Sequence, residues 1–169
     1  EIGQAFEAER VQILRLPRER DLLLEEVLSM RQKMHEGHPN TSETFDLKHD
    51  PGGMVDIEFM VQALVLLHSH DHPRLTGNLG NIALLQIAGS LGLIPPEQAI
   101  AVADAYRSYR LRQHRLRLKG LSKARVPAQA FEGEVSAVRA LWTEVFAGVT
   151  ASPRPLQALH EARMRRARP

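Results

Sequence analysis

Residues 54–70 read MVDIEFMVQALVLLHSH, and this stretch decides the fold class. Placed at 100° steps around a helix axis, Met54, Val55, Ile57, Phe59, Met60, Val61, Leu64, Val65, Leu66 and Leu67 occupy almost every direction. A helix on a protein surface keeps a polar face, whereas one that is apolar all round is enclosed by other protein. The pattern therefore predicts a buried helix over about 53–70, central to an all-α bundle. Immediately before it, Pro51-Gly52-Gly53 predicts a bend, and Phe45-Asp46-Leu47-Lys48 alternates like a short strand or extended arm.

Working outward, residues 3–15 predict a helix with Ala5, Phe6, Ile13 and Leu14 apolar among charges, ended or offset by Pro17. Residues 18–35 predict a second, with Leu22, Leu23, Val27, Met30 and Met34 as its apolar row and Gly37, Pro39 and Asn40 as its stop. Beyond the central helix, 81–91 forms a fourth, stopped by Gly92, and Pro95-Pro96-Glu97 opens a long fifth over about 96–119. Val102, Ala105, Tyr106, Tyr109 and Leu116 mark its apolar side, and a sixth over about 128–147 carries Val135, Val138, Leu141, Trp142, Val145 and Phe146. The expected architecture is a bundle of five to six helices, with residues 1–40, 41–148 and 149–169 as N-terminal helices, helical domain and basic tail.

Composition agrees. The 169 residues are 43% hydrophobic and only 5% aromatic, which suits helices packed through aliphatic side chains. Cysteine is absent, which excludes disulfides and thiolate metal sites and makes the cytoplasm the expected compartment. No run approaches the roughly 20 apolar residues of a membrane span, and the chain opens on Glu1-Ile2-Gly3-Gln4 without an initiator Met, as expected of a piece of a longer protein. Net charge is +2, with Arg154, Arg163, Arg165, Arg166 and Arg168 concentrated in the tail, read as a solvated, disordered terminus. The arginines at 107, 110, 112, 115 and 117 spread around more than half of the fifth helix, which suits a solvated face better than a nucleic-acid stripe.

The chemistry concentrates in residues 45–62, where Lys48, Asp56, Glu58 and Gln62 stand among apolar neighbours. A buried carboxylate needs a partner or an open cleft. Asp56 and Glu58 point about 160° apart on a helix, which argues against a shared two-carboxylate metal site, while Glu58 and Gln62 share a face. Asp56 suits a helix first turn, and Arg110 and His114 of the fifth helix, with Arg107 close by, are the expected counter-charges for the two acids. Gly52 and Gly53 before a helix N-terminus, with Lys48 upstream, form a candidate phosphate-receiving bend, although no GxxxxGK[ST] loop is present. His68-Ser69-His70-Asp71-His72 places only His68 and His72 on one face and reads as a helix end rather than a metal site, and His49 reads as a solvated loop residue.

The order Phe45-Asp46-Leu47-Lys48, Asp50-Pro51-Gly52-Gly53, Asp56-Ile57-Glu58-Phe59 and Gln62 resembles the signature that follows the nucleotidyltransferase domain in the glutamine synthetase adenylyltransferase family. The resemblance continues through Leu75-Thr76, Asn81, Ala105-Tyr106, Arg110, His114 and Trp142. It implies the C-terminal helical domain, with residues 1–40 leading from a nucleotidyltransferase domain outside this chain. The whole enzyme would move AMP from ATP to a tyrosine of glutamine synthetase with Mg²⁺, and remove it by phosphorolysis in its other half, under control of PII protein and glutamine. The family's Gly-Ser turn and Asp-x-Asp metal pair are absent here, so the resemblance implies no catalytic residue and no cofactor in this chain. It makes Lys48, Gly52 and Gly53 active-site-flanking candidates, and Asp56, Glu58, Gln62, Arg110 and His114 a buried polar network. The alternative is a non-catalytic regulatory or protein-binding module like the related domain of PII uridylyltransferase. Neither reading involves nucleic acid or a membrane.

Overall fold

The structure, a computed structural model, describes residues 2–151. The basic tail expected over 149–169 therefore lies, from residue 152 onward, outside the described residues. The elements in chain order are α1 (Ile2–Leu14), α2 (Arg20–Glu36), β1 (Thr44–Asp46), α3 (Met54–His68), α4 (Asn81–Ser90), α5 (Pro96–Leu118), β2 (Arg125–Pro127) and α6 (Glu132–Val145). Short 3-10 turns at Pro73–Thr76 and Ala128–Phe131 lead into α4 and α6. The all-α class predicted from the apolar run holds. Among the described residues no helix is long and apolar enough to cross a membrane.

Helix α3 occupies the centre and meets α2, α4, α5 and α6. Its first half is enclosed: Met54, Val55, Ile57, Met60, Val61, Ala63 and Leu64 are all buried. Around it pack Leu24 of α2, Leu85 of α4, Val102 and Tyr109 of α5, and Val138 and Leu141 of α6, all with almost no exposed surface. Burying each such side chain contributes about 1.5–3 kcal/mol relative to leaving it in water, which explains why a sequence so poor in aromatics still closes a core. Gly89 sets the spacing of α4 on α5, because a Cβ there would stand 2.7 Å from the Cβ of Ala99.

Three departures from the sequence-based expectation have physical causes. Helix α1 forms over the expected residues but stays outside the core, with Phe6 68% and Ile13 50% exposed. Arginines tie it down: Arg10 donates to the Thr76 carbonyl at 2.5 Å, and Arg18 donates to the carbonyls of Ile13 and Leu66. Helix α2 is rotated relative to its expected apolar row, so that Leu24, Val27 and Arg31 face inward while Met30 and Met34 are exposed. The third is an unexpected strand. β2 pairs antiparallel with β1 in the register Thr44↔Pro127, Phe45↔Val126 and Asp46↔Arg125, and buries Phe45 and Val126.

Candidate functional site

The segment between β1 and α3 closes on itself through backbone hydrogen bonds. The N–H groups of Met54 and Val55, which would otherwise be free at the start of α3, donate to the carbonyls of Leu47 and Lys48 at 2.9 and 3.1 Å. Gly53 N–H donates to the Asp50 carbonyl at 2.9 Å, and Gly52 N–H to Asp56 Oδ2 at 2.7 Å. The expectation that Gly52 and Gly53 receive a phosphate is therefore corrected, because their amides are already taken by the chain itself. The glycines serve close packing instead. Gly52 has φ 91°, a left-handed conformation that L side chains avoid, and a Cβ there would stand 2.8 Å from Val135 Cγ1 of α6. At Gly53 a Cβ would stand 2.8 Å from the Leu47 carbonyl oxygen.

Asp56 is 6% exposed, and its counter-charge is Arg31 of α2, itself 6% exposed, with Nε 2.5 Å from Oδ1. Arg31 also donates through an NH2 group to the His49 carbonyl at 2.8 Å. This corrects the pairing of Asp56 with Arg110 or His114. Arg31 was legible in principle, since Leu24, Val27 and Arg31 recur at helical spacing and a charge within a buried row requires an opposite charge in reach. Tyr109, buried on α5, completes the arrangement by donating its hydroxyl to the Gly52 carbonyl at 2.9 Å. Burial raises the Tyr109 pKa well above that of an ordinary phenol, with Glu134 and Asp56 adding to the rise, so the group stays a donor.

Glu58 leaves the opposite side of α3 and is half-buried. It accepts a hydrogen bond from the Tyr106 hydroxyl at 3.1 Å, and that hydroxyl in turn accepts one from Asn81 Nδ2 at 3.0 Å. Burial raises the Tyr106 pKa and the Glu58 charge adds to the rise, while the Asn81 hydrogen bond works against it. Arg110 is exposed, and its guanidinium carbon lies 5.9 Å from the Tyr106 ring centroid, within cation-π range. Among the described residues Glu58 takes part in no ion pair. Gln62 is exposed rather than buried, and with Asn81 it lines a groove of about 410 Å³ walled by Leu14, Leu66, Leu79 and Leu84. His114 is exposed on α5. The expected buried network of five residues is thus two separate arrangements: Asp56 with Arg31 inside, and the half-buried Glu58 and Asn81 joined through the buried Tyr106, with the exposed Arg110 over the Tyr106 ring.

Lys48 is exposed and lines a different cavity beside the β1–β2 pair. The His68 and His72 rings lie 6.5 Å apart and tilted, at the end of α3. The two acids of α3 do not converge: one is consumed by Arg31 and the Gly52 amide, the other is bonded to a phenol. They do not fit a magnesium site.

A sequence profile described as GlnD PII-uridylyltransferase matches residues 23–135, from α2 into α6. Among curated proteins, the chain is 58% identical over 156 residues to a protein of Ralstonia nicotianae, covering 92% of this chain and 16% of that one. It is 56% identical over 145 residues to one of Burkholderia mallei, covering 86% and 16%. A third, of Nitrosomonas europaea, is 46% identical over 160 residues, covering 86% and 17%. All three are named bifunctional glutamine synthetase adenylyltransferase/adenylyl-removing enzyme. The chain spans about one sixth of the length of these relatives and matches a fragment of them.

Proposed function

The chain belongs to the family described as GlnD PII-uridylyltransferase, and from that premise we propose that it is the helical part of a bifunctional glutamine synthetase adenylyltransferase/adenylyl-removing enzyme. In this reading the whole enzyme transfers AMP from ATP to a tyrosine of glutamine synthetase, in the cytoplasm, with Mg²⁺ and under PII control. The metal ligands belong to a domain outside this chain, and the helical part borders the transfer site or receives a protein partner. The observation that carries the reading is the contrast across α3. On a helix whose first half is enclosed, the half-buried Glu58 carboxylate meets a neutral phenol instead of a cation, next to the exposed Gln62. A carboxylate kept at such a face is available to a group brought by another domain or protein.

The test is Glu58→Gln and Tyr106→Phe in the full-length enzyme, with adenylylation rate and thermal unfolding measured together. The expected result is a loss of about ten-fold or more in kcat/KM, or about 1.4 kcal/mol, with the melting temperature of Glu58→Gln nearly unchanged. Normal specific activity with a lowered melting temperature overturns it.

A second reading is a non-catalytic regulatory or protein-binding helical module, of which the related domain of PII-uridylyltransferase, named by the matching profile, is the example. A Gly-Ser turn and an Asp-x-Asp pair in the upstream sequence of the whole protein select the first reading, and their absence selects the second.

A further inference from the structure

Four cations converge on a cavity of about 420 Å³ that the Glu58 face does not touch. Lys48 follows β1, Arg117 lies in the last turn of α5, Lys123 comes from the connection into β2 and Arg125 opens that strand. The connection reaches the cavity because Gly120, at φ 77°, turns the chain sharply after α5, its N–H donating to the Arg117 carbonyl and the Leu121 N–H to that of Leu116. The β1–β2 pairing then places Asp46 directly opposite Arg125. Among the described residues none of the four cations is in an ion pair. The Arg125 Nε is buried without a hydrogen-bond partner.

The acidic content of the cavity is already spoken for. Asp46 is the one carboxylate in its lining, and its Oδ1 accepts the backbone N–H groups of Lys48 and His49 at 2.9 and 3.0 Å. The C-terminal ends of α2 and α5 also border the cavity and favour cations, each worth about half an elementary charge. Set against four cations, Asp46 and both helix ends leave roughly two positive charges uncompensated. In a chain whose net charge is only +2, that is a focused positive site and not a general basic surface. A flat wall is formed by His38 and His49, whose rings stack at 4.1 Å with 2° between their planes.

We propose that this cavity binds a small phosphate-bearing anion of at least two negative charges, such as pyrophosphate or the phosphate chain of a nucleotide. The charge count sets the valence, and the volume suits a compact ligand within the usual range of small-molecule sites. The inference stands on this chain alone. It goes beyond the reading of the Glu58 face, and binding is measured without any transfer reaction, so failure of one leaves the other standing.

The experiment titrates the full chain calorimetrically with sodium pyrophosphate and with ATP, both without divalent cation, against sodium chloride of matched ionic strength. Saturable one-site binding is expected. Removing one unit charge at roughly 5 Å in a water-like dielectric lowers the affinity for a monovalent anion about four-fold. Lys48→Gln combined with Lys123→Gln should therefore lose about ten-fold or more for a polyvalent one. Both lysines are exposed. Should the double variant fail to fold, Arg117→Gln, also exposed, carries the same test. Arg107→Gln, on α5 outside the cavity and paired with Asp104, should change affinity less than about two-fold. ATP binding tighter than pyrophosphate supports the proposal and makes the ligand a nucleotide, and equal affinities support it with the phosphate chain alone recognised. No saturable binding, or an equal loss in Arg107→Gln, overturns it.

Discussion

Asp56 and Glu58 leave the same helix two residues apart and meet opposite fates. Asp56 turns toward α2, where Arg31, itself almost fully buried, neutralises it and the Gly52 amide takes its second oxygen. Glu58 turns toward α4 and α5, keeps part of its surface in water and meets the Tyr106 hydroxyl. The first carboxylate is fully committed to holding the 47–53 segment against the bundle. The second retains hydrogen-bonding capacity, since a carboxylate has about four acceptor sites and the phenol fills one. Within one helix, then, burial separates a residue that builds the fold from one able to serve a partner.

Substitutions at the two sides should differ in proportion. The largest effect is expected from Arg31→Met, which strands a buried carboxylate and should cost about 3–5 kcal/mol in urea unfolding. Combining it with Asp56→Asn should recover part of that loss, because no uncompensated charge remains. A double variant no more stable than Arg31→Met alone would show that packing, not charge, governs this side. Next comes Gly52→Ala, where left-handed backbone and the contact with Val135 together should cost about 2–4 kcal/mol by the same measurement. Tyr109→Phe removes the buried hydroxyl bond to the Gly52 carbonyl and should cost about 1–2 kcal/mol.

Smaller again is a pH effect on the Asp56 side. Burial and the neighbouring His38 lower the His49 pKa below its ordinary 6.5, and burial with His72 lowers that of His68. The native state then binds fewer protons than the unfolded chain, so stability is full above pH 6.5, declines as pH falls below it, and levels off once the lowered native values are passed. His49→Asn should flatten part of that slope in melting curves recorded between pH 5 and 8. The smallest stability change is expected for Glu58→Gln, within about 0.5 kcal/mol, as for a substitution away from a committed network. A loss comparable to that of Arg31→Met would erase the distinction between the two sides.

Much of this was legible in sequence. The enclosed helix followed from its all-round apolar pattern, and the divergence of Asp56 and Glu58 followed from helix geometry alone, without knowledge of the neighbours. Partner identity was harder. Arg110 and His114 share a face on α5, but Arg31 is nearer in space, and choosing it meant accepting that Met30 and Met34 face water while an arginine faces the core. Composition argues against that choice, and the demand of a buried carboxylate reverses it. The glycine bend misled for another reason: sequence shows free amides before a helix, but not that Leu47 and Lys48 fold back to accept them. Strand β2 had no signal of its own. Arg125, Val126 and Pro127 carry no alternation long enough to read, and they are extended because β1 is beside them.

That last pairing bears on the order of assembly. Phe45 and Val126 stand roughly eighty residues apart along the chain, and closing a loop of that length costs about 4 kcal/mol in chain entropy before any pair forms. Three residue pairs are too few to offset that cost by themselves. The ribbon becomes favourable once α3, α4 and α5 have docked and carried its two halves together. It is therefore expected to form late in folding and open early in unfolding, so that Phe45 and Val126 report on the unfolding rate far more than on the folding rate.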